Sequence, residues 1–236
     1  MQCGVVVVAA GQGKRLRQGQ HKALVDLFGR PLFLWCVENF SKSNDIDEVI
    51  IVVHKDDITT FSDGLIGKQL SALGVCRVVE GGAERQDSVL AGLYALSPSV
   101  TKALVHDAAR PFVSNRTIEQ LVEALDDHPA AVPVVKVAST VKQVNERGSV
   151  EATIPRNALR LAQTPQAARK DLLIAALESA ANKGEIVTDD VQAMELVGHE
   201  VVTIEDSTWN FKVTTPEDLQ LARLVAREKL HLEDQK

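Results

Sequence analysis

The sequence has 236 residues, of which 45% are hydrophobic and only 4% aromatic, and its formal net charge is -6. A chain of this length can bury one sizeable core, and a core poor in aromatic residues must be built from Val, Leu, Ile and Ala. This composition is typical of an α/β fold, and we expect a single domain over residues 1–236. The negative charge argues against general affinity for nucleic acid or for an anionic membrane.

The cysteines and the first residues indicate the compartment. Cys3, Cys36 and Cys76 are odd in number and widely spaced, which favours neither a disulfide framework nor a metal site. The apolar run that follows Gly4 is too short to span a membrane and lacks the basic segment of a signal peptide. We therefore expect a cytoplasmic protein in which Cys36 and Cys76 pack as small hydrophobic residues.

Short β-branched or apolar runs alternate with helical patterns along the first part of the chain. The runs cover residues 5–8, 49–53, 75–79, 103–105 and 132–135. Runs of this kind are typical of parallel strands buried on both faces, and the helical stretches between them indicate βαβ units. Ser114 is suited to cap one helix and Thr215-Pro216 to open the last. The sequence therefore predicts a mostly parallel, twisted, Rossmann-like sheet with helices on both faces.

A different pattern follows Pro133. Apolar and polar residues alternate over 137–144 and 150–154, on either side of the turn sequence Asn145-Glu146-Arg147-Gly148. Alternation around a glycine-containing turn predicts a β-hairpin. We expect this hairpin to project from the sheet as an arm over about residues 137–160.

The first predicted strand leads into a basic loop that contains two glycines. It runs Ala9-Ala10-Gly11-Gln12-Gly13-Lys14-Arg15, and its bases continue through Arg17 to Lys22. The glycines would let backbone N–H groups approach a phosphate, and the clustered bases give a local positive site on an acidic protein. Leu16 stands where a dinucleotide fingerprint needs its third glycine, and no P-loop sequence follows. A phosphate-binding loop of another kind is favoured over a glycine turn beside a solvated basic face.

Two further polar segments lie where ligands can bind. His106-Asp107-Ala108-Ala109-Arg110-Pro111 follows a predicted strand, and open α/β sheets bind ligands at the carboxyl ends of their strands. There Asp107 either holds Mg²⁺ on a nucleotide or caps a turn and pairs with Arg110. The segment from Gly81 to Ser88 precedes a helix, so its polar groups either bind an anion or nucleotide or cap the helix.

Taken in order, these motifs resemble the 2-C-methyl-D-erythritol 4-phosphate cytidylyltransferase family over nearly the whole chain. The matching segments are Ala9-Ala10-Gly11-x-Gly13-x-Arg15, Lys22, Gly82-x-Glu84-Arg85-x-Asp87-Ser88, His106-Asp107-Ala108-Ala109-Arg110-Pro111, Thr164-Pro165-Gln166 and Lys212-Val213-Thr214-x-Pro216-Glu217-Asp218-Leu219. The resemblance implies a Rossmann-like nucleotidyltransferase fold and a homodimer. It also implies transfer of CMP from CTP, with Mg²⁺, to methylerythritol phosphate, a small polyol phosphate, in non-mevalonate isoprenoid precursor biosynthesis.

The resemblance implies roles for individual residues. Catalytic roles fall to Arg15, Lys22, Arg156 and Lys212. Nucleotide binding falls to Ala9, Ala10, Gly11, Gly13, Gly82, Asp87, Ser88 and Asp107, the last of which would also be the metal ligand. Acceptor binding falls to Thr140, Arg156 and Thr164, and the arm of each subunit would reach into the active site of its partner.

The implied reaction is attack by a phosphate oxygen of the acceptor on the α-phosphorus of CTP, with pyrophosphate leaving. The attacking phosphate is already ionised at neutral pH, so no general base is required and we expect His106 to be structural. Catalysis then depends on positioning two anionic reactants and on neutralising the charge that develops between them.

Two positions depart from the family pattern and leave alternatives open. His21 stands where the family usually has Pro, and Ser139 where it usually has Asp, next to Thr140. Loss of a carboxylate near the acceptor puts the identity of the polyol in question. The nearest alternative is a ribitol-5-phosphate cytidylyltransferase, against which Ala10 and Ala109 argue. A non-catalytic nucleotide-binding protein is the other, and it would not need the retained bases.

Overall fold

The structure is a computed structural model that describes residues 2–11 and 22–233. In these residues strands and helices alternate along most of the chain. The strands are β1 (Gln2–Val8), β2 (Glu48–Val53), β3 (Arg77–Glu80), β4 (Val100–Asp107), β5 (Ala130–Lys136), β6 (Val141–Val144), β7 (Val150–Ile154), β8 (Arg160–Ala162), β9 (Gln166–Arg169) and β10 (Val201–Glu205). The helices are α1 (Leu32–Lys42), α2 (Ile58–Ser62), α3 (Gly64–Ala72), α4 (Arg85–Ala95), α5 (Asn115–Asp127), α6 (Lys170–Asn182), α7 (Asp190–Leu196) and α8 (Pro216–Glu233).

The main sheet has the strand order β10-β5-β9-β4-β1-β2-β3, and β8 pairs with β5. Strands β1 to β4 are mutually parallel, as are β5 and β10. Strand β9 runs antiparallel between β4 and β5, and β8 is also antiparallel. The predicted mostly parallel sheet is therefore confirmed. The chain passes from β1 out to β2 and β3 and then returns to β4, so the strand order reverses between β1 and β4.

The continuous β-branched run of β1 is buried on both faces of the sheet, as predicted. Val5 and Val7 pack into a core that includes side chains of α1 and α5, whereas Val6 packs into a second core with α4 and α6. Successive side chains of a strand point to opposite faces, so a strand covered by helices on both sides has no solvent-facing position. Helices on both faces are thereby confirmed.

A third hydrophobic cluster attaches α8 to α1. Leu32 and Trp35 of α1 contact a group that includes Leu219 and Ala222 of α8, and Val213 is fully buried in the same cluster. The start of α8 is capped by Asp218, whose Oδ2 accepts hydrogen bonds from the backbone N–H groups of residues 214 and 215 at 2.8 and 2.9 Å. This packing fixes the segment before α8 beside the ends of the central strands. Ser114 caps α5 as predicted, accepting from the Thr117 N–H at 3.1 Å.

The predicted hairpin is present as an antiparallel pair of β6 and β7. Asn145 shapes its turn, since its Oδ1 accepts hydrogen bonds from the N–H groups of Arg147 and Ser149, and Gly148 has a φ of 77°. No residue from 136 to 162 is buried. We refer to residues 137–160 as the arm.

The cysteines correct one expectation. Cys3 and Cys36 are buried, and burial raises the pKa of the Cys36 thiol to about 12, so it packs as a neutral group. Cys76 is exposed, because it lies in the turn before the edge strand β3 and not in a helix or strand interior. In residues 2–11 and 22–233 no helix is long and apolar enough to cross a bilayer.

Candidate active site

A cleft of about 630 Å³ opens at the carboxyl ends of β1 and β4, where the strand order reverses. Several residues singled out in the sequence line it together, although they come from four separate segments. They are Ala9, Ala10, Gly11, Gly82, Ser88, Asp107 and Lys212. Backbone hydrogen bonds hold the segments in place: the Ala9 N–H donates to the Val52 carbonyl at 2.7 Å, and the Ala108 N–H donates to the Val8 carbonyl at 3.1 Å.

Asp107 is the carboxylate of this cleft, and two cations hold it. Lys212 Nζ donates to Oδ2 at 2.6 Å, while Arg85 Nη2 and Nε donate to Oδ1 at 3.3 and 3.4 Å. Burial by itself would raise the pKa of Asp107, but the positive charges of Arg85 and Lys212 outweigh it and hold that pKa well below its usual value. Asp107 is therefore ionised at neutral pH, and its proposed pairing with Arg110 is replaced by pairing with Arg85 and Lys212.

Arg85, in the first turn of α4, lies between two carboxylates. Its Nη1 and Nη2 donate to the Oδ1 and Oδ2 of Asp190, both at 2.8 Å, in addition to the longer bonds to Asp107. Burial by itself lowers the pKa of Arg85, but Asp190 and Asp107 raise it, so the guanidinium remains charged. Two carboxylates and two cationic side chains thus form one connected group: Asp107, Asp190, Arg85 and Lys212.

Lys212 reaches Asp107 because its segment is fixed by buried hydrogen bonds. The Val213 N–H donates to the Ala109 carbonyl at 2.9 Å, and Arg110 Nη1 donates to the Asn210 carbonyl at 2.8 Å. The Asn210 side chain, itself buried, donates to the Thr164 carbonyl at 2.9 Å. Lys212 therefore has a defined position although its own side chain is partly exposed.

His106 and Thr164 lie behind the Asp107 carboxylate. His106 Nε2 is 3.0 Å from the Arg110 carbonyl, which can only accept, so this nitrogen carries the proton. Nδ1 then accepts from the Thr164 hydroxyl at 3.1 Å, and the same hydroxyl accepts from the Asp107 N–H at 3.0 Å. Burial lowers the pKa of His106 to about 4, so the ring is neutral. Every polar atom of these two side chains is used within the fold, and Thr164 does not line the cleft.

The start of α4 is shaped by its own side chains. Asp87 Oδ2 accepts from the Glu84 N–H at 3.0 Å, which is a capping bond. Ser88 Oγ accepts from the Gly82 N–H at 3.2 Å and donates to the Glu84 carbonyl at 3.2 Å. A Cβ on Gly82 would lie 2.3 Å from the Cβ of Asp87, so only glycine fits there. Asp87 does not line the cleft, and its nucleotide contact remains a prediction.

The remaining predicted site residues divide into two groups. Gly13 and Arg15 lie outside the described residues, and so does the side chain of Lys22. Thr140 and Arg156 are exposed on the arm and do not line the cleft, and the Arg156 guanidinium donates to the Ala138 carbonyl. A single chain therefore does not bring the arm residues and Lys212 into one cleft.

Sequence reasoning missed Asp190, the second carboxylate that pairs with Arg85. Asp190 follows Thr188-Asp189, a sequence typical of a helix start, and Asp189 does cap α7 by accepting from the Gln192 N–H at 3.0 Å. The ion pair between Asp190 and Arg85, which is 105 positions earlier, leaves no local pattern in the sequence. The role of such a buried carboxylate can be recognised only when the tertiary structure shows its partner.

The fold and the cleft together are those of a nucleotide-binding α/β protein. Backbone from a strand end forms one wall, a helix start forms another, and charged side chains converge at the reversal of strand order. This is the position at which open α/β sheets bind nucleotides, and the small residues Ala9, Ala10 and Gly11 leave room for phosphates to approach the backbone.

Comparison with known proteins identifies the family. The family model for 2-C-methyl-D-erythritol 4-phosphate cytidylyltransferase matches residues 3–228. An enzyme of that name from Halalkalibacterium halodurans is 40% identical over 97% of this chain and 99% of its own length. The crystal structure of the Thermus thermophilus enzyme of that name superposes with a TM-score of 0.79, at 35% identity over 96% of this chain and 100% of that one. The structure of a 4-diphosphocytidyl-2C-methyl-D-erythritol synthase from Anaerococcus prevotii gives a TM-score of 0.83 at 29% identity, over 96% of this chain and 98% of that one.

The chain therefore belongs to the 2-C-methyl-D-erythritol 4-phosphate cytidylyltransferase family. This membership confirms the predicted fold class and the predicted enzyme class, a nucleotidyltransferase. The family match does not favour the ribitol-5-phosphate or the non-catalytic alternative.

Proposed function

We propose that the protein transfers CMP from CTP to 2-C-methyl-D-erythritol 4-phosphate and releases pyrophosphate, as a step of non-mevalonate isoprenoid precursor biosynthesis. Family membership supports the reaction. The observation that carries it in this chain is the Lys212 ammonium held at 2.6 Å from Asp107, in the cleft that Ala9, Ala10 and Gly11 also line. A cation held at a fixed position in a cleft of this kind is suited to stabilise charge on a reacting phosphorus.

The nucleotide is proposed to lie along the carboxyl ends of β1 and β4. The phosphates would approach the backbone of Ala9, Ala10, Gly11 and Gly13, and the base would contact the start of α4 near Gly82 and Ser88. The position of Gly82 and Ser88 in the wall of the cleft supports this placement.

A divalent cation, proposed to be Mg²⁺, would be bound by Asp107 together with the CTP phosphates. Within the described chain no three His, Cys, Asp or Glu side chains gather as a metal cage. One carboxylate facing a phosphate cleft is nevertheless the donor set that fits Mg²⁺, which keeps several waters and takes substrate phosphates as ligands. The cation would supply charge neutralisation on the triphosphate when bound.

The chemistry requires no covalent intermediate with the protein. An oxygen of the acceptor phosphate forms a bond to the α-phosphorus while the bond from that phosphorus to the bridging oxygen of pyrophosphate breaks. The positive charge of Lys212, together with those of Arg15 and Lys22, would neutralise charge on the oxygens of the α-phosphate. His106 takes no proton in this scheme, because its ring is neutral and both nitrogens are engaged inside the protein.

The acceptor site is proposed to be shared between two copies of the chain in a homodimer. Thr140 and Arg156 lie on the exposed arm, which also presents Val144 and Val150 to solvent, and Leu161 just beyond it is exposed as well. Exposed apolar side chains on a projecting hairpin are suited to a subunit interface. We propose that each arm supplies Thr140 and Arg156 to its partner's cleft. A cytoplasmic location is proposed from the three free cysteines.

Pyrophosphate release tests the reaction. The purified protein with Mg²⁺ is assayed with CTP, UTP and ATP, each against methylerythritol phosphate and ribitol 5-phosphate. We expect release with CTP and methylerythritol phosphate. Preference for ribitol 5-phosphate would replace methylerythritol phosphate as the acceptor, and release with neither acceptor would refute the proposed function.

Mixed dimers test the shared site. Lys212→Ala and Arg156→Ala chains, each inactive alone, are unfolded together, refolded and assayed. If the arm acts on its partner, one of the two clefts in each mixed dimer is intact, and about a quarter of wild-type activity returns. No recovery, with mixed dimers verified by two different affinity tags, would show that the arm acts within its own chain or not at all.

A further inference from the structure

Asp190 is a buried carboxylate outside the residues that line the cleft. It is 1% exposed and lies in the first turn of α7, with both oxygens bonded to Arg85 at 2.8 Å. A bidentate, buried pair of this kind has a defined geometry, and removing one partner is costly because the other charge is left unpaired. Asp190 therefore determines where the Arg85 guanidinium lies.

Asp190 is itself held in place by β9. Gln166 Oε1 accepts from the N–H groups of Asp190 and Val191 at 2.8 and 3.0 Å, and Gln166 Nε2 donates to Asp189 at 3.0 Å. From the other side, Gln86 of α4 accepts from the Val187 N–H at 3.0 Å. The start of α7 is thus anchored to the sheet and to α4, so the Asp190 carboxylate cannot follow Arg85 if the guanidinium moves.

Arg85 is bound more closely by Asp190 than by Asp107. Its bonds to Asp190 are 2.8 Å long, whereas those to Asp107 are 3.3 and 3.4 Å. The shorter pair holds the guanidinium back from Asp107. Without Asp190, Asp107 would be the only one of these two carboxylates left to Arg85, and a shorter ion pair at its Oδ1 would compete with any other cation for that oxygen.

We propose that Asp190 is a positioning residue, which limits Arg85 to long bonds with Asp107 Oδ1 and so lets the divalent cation that accompanies CTP replace Arg85 at that oxygen. The inference rests on the proposed metal and nucleotide at Asp107. It assigns no contact between Asp190 and the substrate, because Asp190 acts through Arg85.

The test measures binding without turnover. The affinity for CTP is determined by calorimetry with Mn²⁺ and without any divalent cation, in the wild type, in Asp190→Asn and in Asp189→Asn. Asp189→Asn is the matched control, since it removes a charge from the same helix end, keeps a capping side chain and does not touch Arg85. In Asp190→Asn we expect the affinity for CTP with Mn²⁺ to fall about tenfold. The affinity for metal-free CTP, and both affinities of Asp189→Asn, should stay within about threefold of wild type.

A double variant establishes that Arg85 carries the effect. Arg85→Gln combined with Asp190→Asn replaces the ion pair with two amides and leaves no buried unpaired charge. We expect it to bind CTP with Mn²⁺ at least as well as the wild type, because no guanidinium then competes at Asp107. This variant also decides the matter if Asp190→Asn does not fold, since a tenfold loss in the double variant would overturn the proposal.

Equal Mn²⁺ dependence in Asp190→Asn and Asp189→Asn would overturn it as well. Failure of the proposed function is seen separately, as absence of pyrophosphate release by the wild type, whereas nucleotide and metal binding are measured with no acceptor present.

Discussion

The cleft and the arm differ in what holds their side chains. In the cleft, Asp107 is 9% exposed and bonded to two cations, and the histidine behind it has both ring nitrogens engaged. On the arm nothing is buried from residue 136 to 162, and Thr140 and Arg156 face solvent. Buried hydrogen bonds within one chain determine the cleft, whereas the arm contributes no buried residue to its own chain. The nucleotide site can therefore be organised within one subunit, whereas the acceptor site is proposed to need the arm of a second.

The largest effect is expected at the cleft cation. Lys212→Ala removes the charge proposed to face the α-phosphate, and we expect turnover to fall about 10²- to 10³-fold in the pyrophosphate assay. Lys136→Ala is the matched control, because Lys136 is an exposed lysine paired with Glu205 away from the cleft. Near-wild-type turnover of a folded Lys212→Ala protein would remove the distinction between a catalytic cleft and a structural one.

The next effect concerns the neutral histidine behind the cleft. Because burial holds the pKa of His106 at about 4, below its ordinary value of 6.5, the unfolded chain binds a proton that the folded chain refuses in that interval. The free energy of unfolding should therefore decrease as the pH falls, by about 2 kcal/mol between pH 6.5 and about pH 5. Urea unfolding at several pH values measures this slope.

His106→Asn is the variant that isolates the histidine. Its stability at neutral pH should be lower, but its slope over the same interval should be flatter than that of the wild type. An unchanged slope in His106→Asn would mean that the ring is not held neutral by the fold.

The smallest effect on folding is expected on the arm. Val144 is 55% exposed, so Val144→Ser should change the free energy of unfolding of dilute protein by no more than about 0.5 kcal/mol. If the arm forms the proposed interface, the same change should weaken self-association about fivefold, as measured by analytical ultracentrifugation. Leu65→Ser, at a residue of α3 that is 74% exposed, is the control and should leave self-association unchanged. Equal self-association in both variants would place the interface elsewhere.

Much of the fold was predictable because its signals are local. The valines of β1 and the apolar run of β2 indicate strands covered on both faces, and Asn145 to Gly148 specify a turn by their own backbone preferences. Strand β9 was not predicted, since its core residues are Ala167 and Ala168, which have no strong β propensity. Strand β9 takes its place because it pairs with both β4 and β5, which are distant from it in the sequence.

The candidate site divides in the same way. The sequence by itself determined the strand-end loops, the glycines and bases near them, the hairpin and the family, because each depends on short-range pattern or on the order of motifs. Only the tertiary structure decided that Lys212 and Arg85 share Asp107, and that Asp190 holds Arg85 from 105 positions away. Ion pairs between distant residues depend on how helices and strands pack, and no local pattern of residues records that packing.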